Sequence, residues 1–170
     1  MAFSQQDTEC MALALKLSKK GRASVGANPM VGCVITRDGK IIAQDYHRQY
    51  GKSHAEVNAL DQIKHQGKGT KLYVTLEPCS HQGKTPPCTK ALIKAGVKNV
   101  VVAMPDPNPM VSGRGVKLLK DAGIEVDIGL LQSEAMELNR GFIKRMETGM
   151  PFVTTKIAMS LDGGTAMNSG

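Results

Sequence analysis

The sequence predicts an α/β three-layer sandwich: a mixed five-stranded sheet with helices on both faces. Two patterns carry this reading. Asp38-Gly39, set between two β-type runs, marks a hairpin. From residue 50 onward, strand-length apolar runs alternate with helical segments, which implies parallel pairing through right-handed crossovers. The 170 residues are 41% apolar and 22% charged, enough to bury a core without disulfide staples.

Each element has a local reason. Ser4, with Asp7 three residues on, opens a helix that Gly21 closes, and Leu13, Ala14 and Leu17 form its apolar stripe. Met30 to Thr36 reads as a buried strand, and Lys40 to Asp45 as its hairpin return. Ala55 to Gln66 is helical, with Val57, Leu60 and Ile63 near one face, and Gly67 and Gly69 end it. Leu72 to Leu76 is a strand, Pro87 to Ala95 a short helix ending at Gly96, and Val100 to Met104 a strand. Gly115 to Ala122 is a helix, Ile124 to Ile128 the fifth strand, and Leu131 to Arg145 a final amphipathic helix. Residues 147–151 read as a Gly- and Pro-punctuated linker after a domain spanning 1–146. Phe152 to Ala158 then reads as a new strand, with too few residues beyond it, in 152–170, for a second core.

The polar, acidic start lacks a secretory apolar region, and the run Val100 to Pro105 is too short to span a bilayer. The expectation is a cytoplasmic protein without membrane attachment, whose four cysteines serve metal or catalysis before disulfides. The net charge of +7 suits solubility or an anionic partner, either nucleic acid or a phosphorylated small molecule. No block of like charge occurs, and three Tyr, three Phe and no Trp make a poor stacking platform, so nucleic acid is the weaker reading.

Three short stretches converge on one chemistry. Ser53-His54-Ala55-Glu56 opens a helix, Glu77-Pro78-Cys79-Ser80 follows a strand, and Thr85-Pro86-Pro87-Cys88 opens the next helix. One His and two Cys match a catalytic zinc site, which keeps its fourth position for water. A helix N-terminus favours the thiolate that Cys88 must become to bind metal. Glu56, two residues past His54, lies near the metal without ligating it, placed to move protons for a water that zinc acidifies. A structural zinc site is the alternative, but such sites close with four protein ligands and no fourth Cys or His stands at suitable spacing. Cys10 and Cys33 read as buried filler and His65 as a structural or solvated residue.

In these stretches the sequence resembles the cytidine deaminase-like superfamily, whose signature is H-x-E followed by P-C-x-x-C. Eight residues, not two, separate Cys79 from Cys88. This long insert, ending in Thr-Pro-Pro-Cys, is similar to that of the riboflavin-biosynthesis deaminase/reductase branch. Ala27-Asn28-Pro29-Met30-Val31-Gly32 and Asp106-Pro107-Asn108-Pro109 resemble motifs of the same branch. Lys156 to Gly163 resembles the opening of that branch's NADPH-dependent reductase domain, with Ala158 at a cofactor position. Gln82 and Gly164 depart from the family pattern, which often has His and a basic residue there.

The resemblance implies zinc-dependent hydrolysis of 2,5-diamino-6-(5-phosphoribosylamino)pyrimidin-4-one to 5-amino-6-(5-phosphoribosylamino)uracil and ammonia. It implies that Asn28 and His47 meet the pyrimidine or ribose, that Lys84 meets the phosphate, and that Asp106 and Asn108 line the same cleft. It further implies a homo-oligomer, and reductase activity absent from a chain ending at Gly170. Each contact has a plainer reading: Asn28 and Asp106 as turn residues before proline, and Lys84 as a solvated charge. Two other functions stay open: a deaminase acting on a base within nucleic acid, and a non-catalytic module stabilised by zinc.

Overall fold

The computed structural model describes residues 3–109, 111–161 and 163–165. Helix α1 (Gln5–Ser18) starts at a complete capping box: Ser4 Oγ accepts from the Asp7 amide, and Asp7 accepts from the Ser4 amide. A single 3₁₀ turn then runs to Gly21. Strands β1 (Gly32–Arg37) and β2 (Lys40–Tyr46) form the hairpin. Asp38 and Gly39 both have positive φ, as a type I′ turn requires.

Helix α2 (Ala55–Gln62), strand β3 (Lys71–Val74), helix α3 (Cys88–Ala95), strand β4 (Asn99–Val102), helix α4 (Arg114–Asp121) and strand β5 (Glu125–Ile128) follow in alternation. The sheet order is β2-β1-β3-β4-β5, with β3, β4 and β5 parallel and β1 antiparallel to both neighbours. Both α1 and α2 pack on β1 and β2, and two helices can share the same strands only from opposite faces. The expected three layers follow. Val34, Ile35, Leu72, Val74, Val100 and Val101 are fully buried between them.

Three expectations need correction. Helix α2 ends at Gln62 rather than Gln66, because Lys64 and His65 take left-handed conformations that no helix continues. The single helix expected over Leu131 to Arg145 is two, α5 (Gln132–Leu138) and α6 (Arg140–Thr148), broken at Asn139. The buried Asn139 side chain acts as a surrogate strand: its Oδ1 accepts from the Met30 amide at 2.8 Å and its Nδ2 donates to the Met30 carbonyl at 3.1 Å. The strand expected over Phe152 to Ala158 does not form; the segment is exposed and takes no place in the sheet. Strand-forming residues need a ladder to satisfy their backbone groups. Phe152 instead leans on α6, with the Arg140 guanidinium 4.5 Å from its ring centroid. Asp162 and residues 166–170 of this stretch lie outside the described residues. Among the described residues no helix is long and apolar enough to cross a membrane.

Asp7 has a second task beyond the cap. Its Oδ1 accepts from Lys71 Nζ at 2.6 Å and from the buried Tyr73 hydroxyl at 2.7 Å, tying α1 to β3. Burial pushes this carboxyl up, but the bonds from Lys71, Ser4 and Tyr73 outweigh it and hold the group well below the usual carboxylate range. A carboxyl with a depressed folded pKa stabilises fully above its unfolded value, about 3.9, and loses that contribution as pH falls toward the folded one. Asp7→Asn is expected to lower stability by about 1–3 kcal/mol near neutral pH. In paired urea titrations, the gap between the two proteins should narrow below about pH 4; a gap independent of pH would contradict this account.

Candidate active site

The site lies beyond the carboxyl ends of the parallel strands, where open α/β sheets collect their functional loops. His54 is the N-cap of α2 in extended conformation and makes no cap bond with its side chain, so the ring is free to turn outward. Cys79 stands five residues past the end of β3, and Cys88 is the first residue of α3. His54 Nδ1 is 3.2 Å from Cys88 Sγ and 3.5 Å from Cys79 Sγ, and all three donor atoms lie within 4.8 Å of one another. A zinc tetrahedron with ordinary Zn–N and Zn–S bonds has N···S edges of about 3.6 Å. Imidazole with two thiols is a zinc donor set, so these residues fit the metal in both chemistry and spacing.

The proton distribution points the same way. The bond to Cys79 raises His54 to about 8. The neighbouring Cys88 thiol, helped by His54 and the Cys88 amide, lowers Cys79 to about 4 against the opposing effect of burial. Cys88 is pushed up by the Cys79 sulfur and by burial. The two sulfurs thus favour unlike protonation, and a bound divalent cation would compete with protons for both.

Two buried groups beside the triad are left open. Glu56 is buried in the first turn of α2; burial pushes its carboxyl up, and its Oε2 has no partner among the described residues. His47 is buried with Nδ1 3.1 Å from the Ser53 carbonyl, which fixes the proton on Nδ1 because a carbonyl can only accept. Its Nε2 has no partner among the described residues, and burial pushes its pKa down. Both residues face a cleft of about 340 Å³ that Asn28, Asp106 and Asn108 also line. Asp106 serves as a turn residue as well, accepting from the Asn108 amide at 2.8 Å.

Lys84 is not in this main lobe. It lines a second lobe of about 180 Å³ together with Lys52 and Tyr50, its Nζ 4.1 Å from the Tyr50 ring centroid. Asn28, His54, Cys79 and His81 line both lobes, so two of the three candidate metal donors sit where the lobes meet. Ala158 is exposed and lines neither lobe. Cys10 and Cys33 are buried away from the triad, and the His65 ring pairs with Asp61.

Sequence reasoning missed two contributors. Glu77, at the head of the Cys79 loop, is buried and accepts backbone hydrogen bonds from Asp106, Gly113, Gly115 and Val116 at 3.0–3.2 Å. It thereby caps α4, whose own N-cap is a glycine, and anchors the Asp106 loop. Gly115 comes so close that an added Cβ would lie 2.0 Å from the Pro78 carbonyl oxygen. A carboxylate between a strand end and a metal cysteine was the only signal. The other contributor is α6, whose Phe142, Arg145 and Met146 wall the main lobe; the helix was legible, its destination was not.

Residues 4–104 match the family model for the cytidine and deoxycytidylate deaminase zinc-binding region. The chain belongs to this deaminase family. Within it the likeness is to riboflavin-biosynthesis proteins. The deaminase is 56% identical over 165 residues to the Escherichia coli riboflavin biosynthesis protein RibD, covering 97% of this chain and 45% of that protein. It is 50% identical over 146 residues to a Buchnera aphidicola diaminohydroxyphosphoribosylamino-pyrimidine deaminase, covering 86% of this chain and 99% of that one. The solved Acinetobacter baumannii RibD superposes with a TM-score of 0.92 at 55% identity, over 97% of this chain and 46% of that one. The deaminase thus spans about half the length of the RibD relatives it matches.

Replacing Glu77 with Gln removes the charge and turns one acceptor into a donor facing amides. Native-state hydrogen exchange at Gly113, Gly115 and Val116 should accelerate by at least about tenfold, the equivalent of 1.4 kcal/mol. Unchanged protection would show that the cap is dispensable. Cys88→Ser should weaken zinc binding by well over the roughly 10–100-fold typical of losing a supporting partner, as read by competition with a chromogenic chelator.

Proposed function

We propose that this chain deaminates 2,5-diamino-6-(5-phosphoribosylamino)pyrimidin-4-one hydrolytically, giving 5-amino-6-(5-phosphoribosylamino)uracil and ammonia. The observation that carries the reading is the buried Glu56 carboxyl, whose Oε2 has no partner among the described residues, beside the His54, Cys79 and Cys88 cluster where two lobes meet. The 50% identity to a deaminase named for this type of pyrimidine, over almost all of that protein, supports the choice of substrate.

His54, Cys79 and Cys88 would hold a zinc ion, which when bound would supply the Lewis acidity for hydrolysis at neutral pH. The base lies in the main lobe, the lobe that Glu56 lines. Glu56 takes one proton of the attacking water and passes it to the ring nitrogen next to the carbon bearing the 2-amino group, then takes the remaining proton of the added hydroxyl and delivers it to the amine, which leaves as ammonia as the carbonyl forms. Its burial suits this, since a carboxyl pushed up toward neutrality both accepts and returns a proton readily. His47, held as the Nδ1–H tautomer, presents Nε2 as an acceptor to the amino and hydroxyl groups of the substrate. Asn28, Asp106 and Asn108 fix ring and ribose, and Lys84 in the second lobe meets the phosphate.

The same reading assigns residues 1–146 to the deaminase domain, 147–151 to a linker and 152–170 to the opening of a reductase domain. NADPH-dependent chemistry, with Ala158 at a cofactor position, belongs to that further domain. Homo-oligomeric assembly, to be tested by light scattering, is also part of it.

Zinc-loaded protein should release ammonia from the phosphorylated diaminopyrimidinone and stop when chelator strips the metal; a folded, zinc-loaded sample without turnover would rule the reading out. Glu56→Gln should keep its zinc and lose about 10²–10⁴-fold in kcat. If the variant arrives metal-free, Glu56 has been given the wrong role. Lys84→Ala should chiefly raise KM, and an unchanged KM would make Lys84 a bystander.

A further inference from the structure

The wall that α6 gives the main lobe is built at helical spacing. Phe142, Arg145 and Met146 lie three and four residues apart, share one face, and all line the lobe. Phe142 and Met146 supply apolar surface. Arg145 brings a charge that the fold leaves without an acceptor. Among the described residues its guanidinium has no hydrogen bond or ion pair, and its Nε is shielded from solvent with no partner. Its nearest ring contact is Phe142, 5.9 Å from the guanidinium carbon, which does not neutralise it. Two other arginines meet carboxylates, Arg48 with Asp45 and Arg140 with Glu137, and Arg37, whose Nε is also unpartnered, donates to the Gln66 carbonyl. A partly buried cation without a counter-charge is unfavourable unless something arrives to meet it.

The reading of the reaction given above, on which this step rests, says what arrives. The pyrimidine ring and ribose are neutral, so the only anion of the substrate is its phosphate. That group carries close to two charges near neutral pH and matches a guanidinium with two parallel hydrogen bonds. Asn28 lines the main lobe, the Lys84 lobe and the pocket that runs along α6 past Arg145, so it borders the spaces that both cations reach. We propose that Arg145 is a second anchor for the substrate phosphate, acting with Lys84 to select phosphorylated over unphosphorylated pyrimidine ribosides.

Two substrates separate this role from general damage. With the phosphorylated pyrimidine, Arg145→Ala and Arg145→Gln should lose about 10- to 100-fold in kcat/KM, mostly through KM, with Arg145→Lys recovering part of the loss. With the dephosphorylated riboside the same variants should lose much less, and circular dichroism checks separately that they fold. Calorimetric titration of ribose 5-phosphate into Glu56→Gln protein gives a readout without turnover. Adding Arg145→Ala there should weaken binding by a similar factor. Equal losses on both substrates, or ribose 5-phosphate affinity indifferent to Arg145, would overturn the assignment. Failure of zinc-loaded wild type to deaminate either compound would instead sink the proposed reaction, and the ribose 5-phosphate titration would still decide for or against Arg145 as a phosphate anchor.

Discussion

The buried Glu77 carboxylate holds the working end of the molecule together. Its own amide donates to the Met104 carbonyl, and its two oxygens collect four backbone N–H groups from the loop after β4 and the first turn of α4. Burying a carboxylate costs several kcal/mol in lost hydration. Charge-assisted bonds worth about 1.5–3 kcal/mol each, aided by the positive end of α4, offset that cost only if all of them form together. The loops following β3 and β4 are therefore fixed as one unit. Cys79, two residues beyond Glu77, inherits its place from that unit, as do Asp106 and Asn108.

Around this unit the metal donors arrive from three directions, each by way of a helix or strand terminus. Helix starts serve well because their amides are unpaired and point toward the site. Cys88 makes this concrete: its N–H donates to Cys79 Sγ at 3.3 Å, so the backbone of one donor stabilises negative charge on the other. His54 and Glu56 occupy the cap and first turn of α2, which keeps the imidazole and the carboxylate on one short, rigid stretch of chain.

What the sequence disclosed divides along physical lines. The hairpin, the strand–helix alternation and the helix starts were readable because turn chemistry, periodicity and capping are local. His54, Cys79 and Cys88 were readable because few other tasks need that donor set. The break at Asn139 was not, since it depends on Met30, 109 residues away. The strand expected over Phe152 to Ala158 failed for a related reason: β-propensity creates a demand for a partner without saying whether one is there. Glu77 and Arg145 escaped notice because a carboxylate and a guanidinium are ordinary surface residues until burial and neighbours give them a role.

The cleft has two walls with different freedom to change, and the Asn139 clamp sits at the start of one of them. The metal half is a hydrogen-bonded knot in which most substitutions disturb several partners at once. The wall carrying Phe142, Arg145 and Met146 is tied to the Met30 backbone by the Asn139 amide and to the core by Ile143, and among the described residues these three side chains make no hydrogen bond to that knot. Evolution can therefore redraw this wall residue by residue, altering which molecule enters, while the chemistry at the junction stays as it was. A family with one reaction and many substrates is what such a division of labour permits.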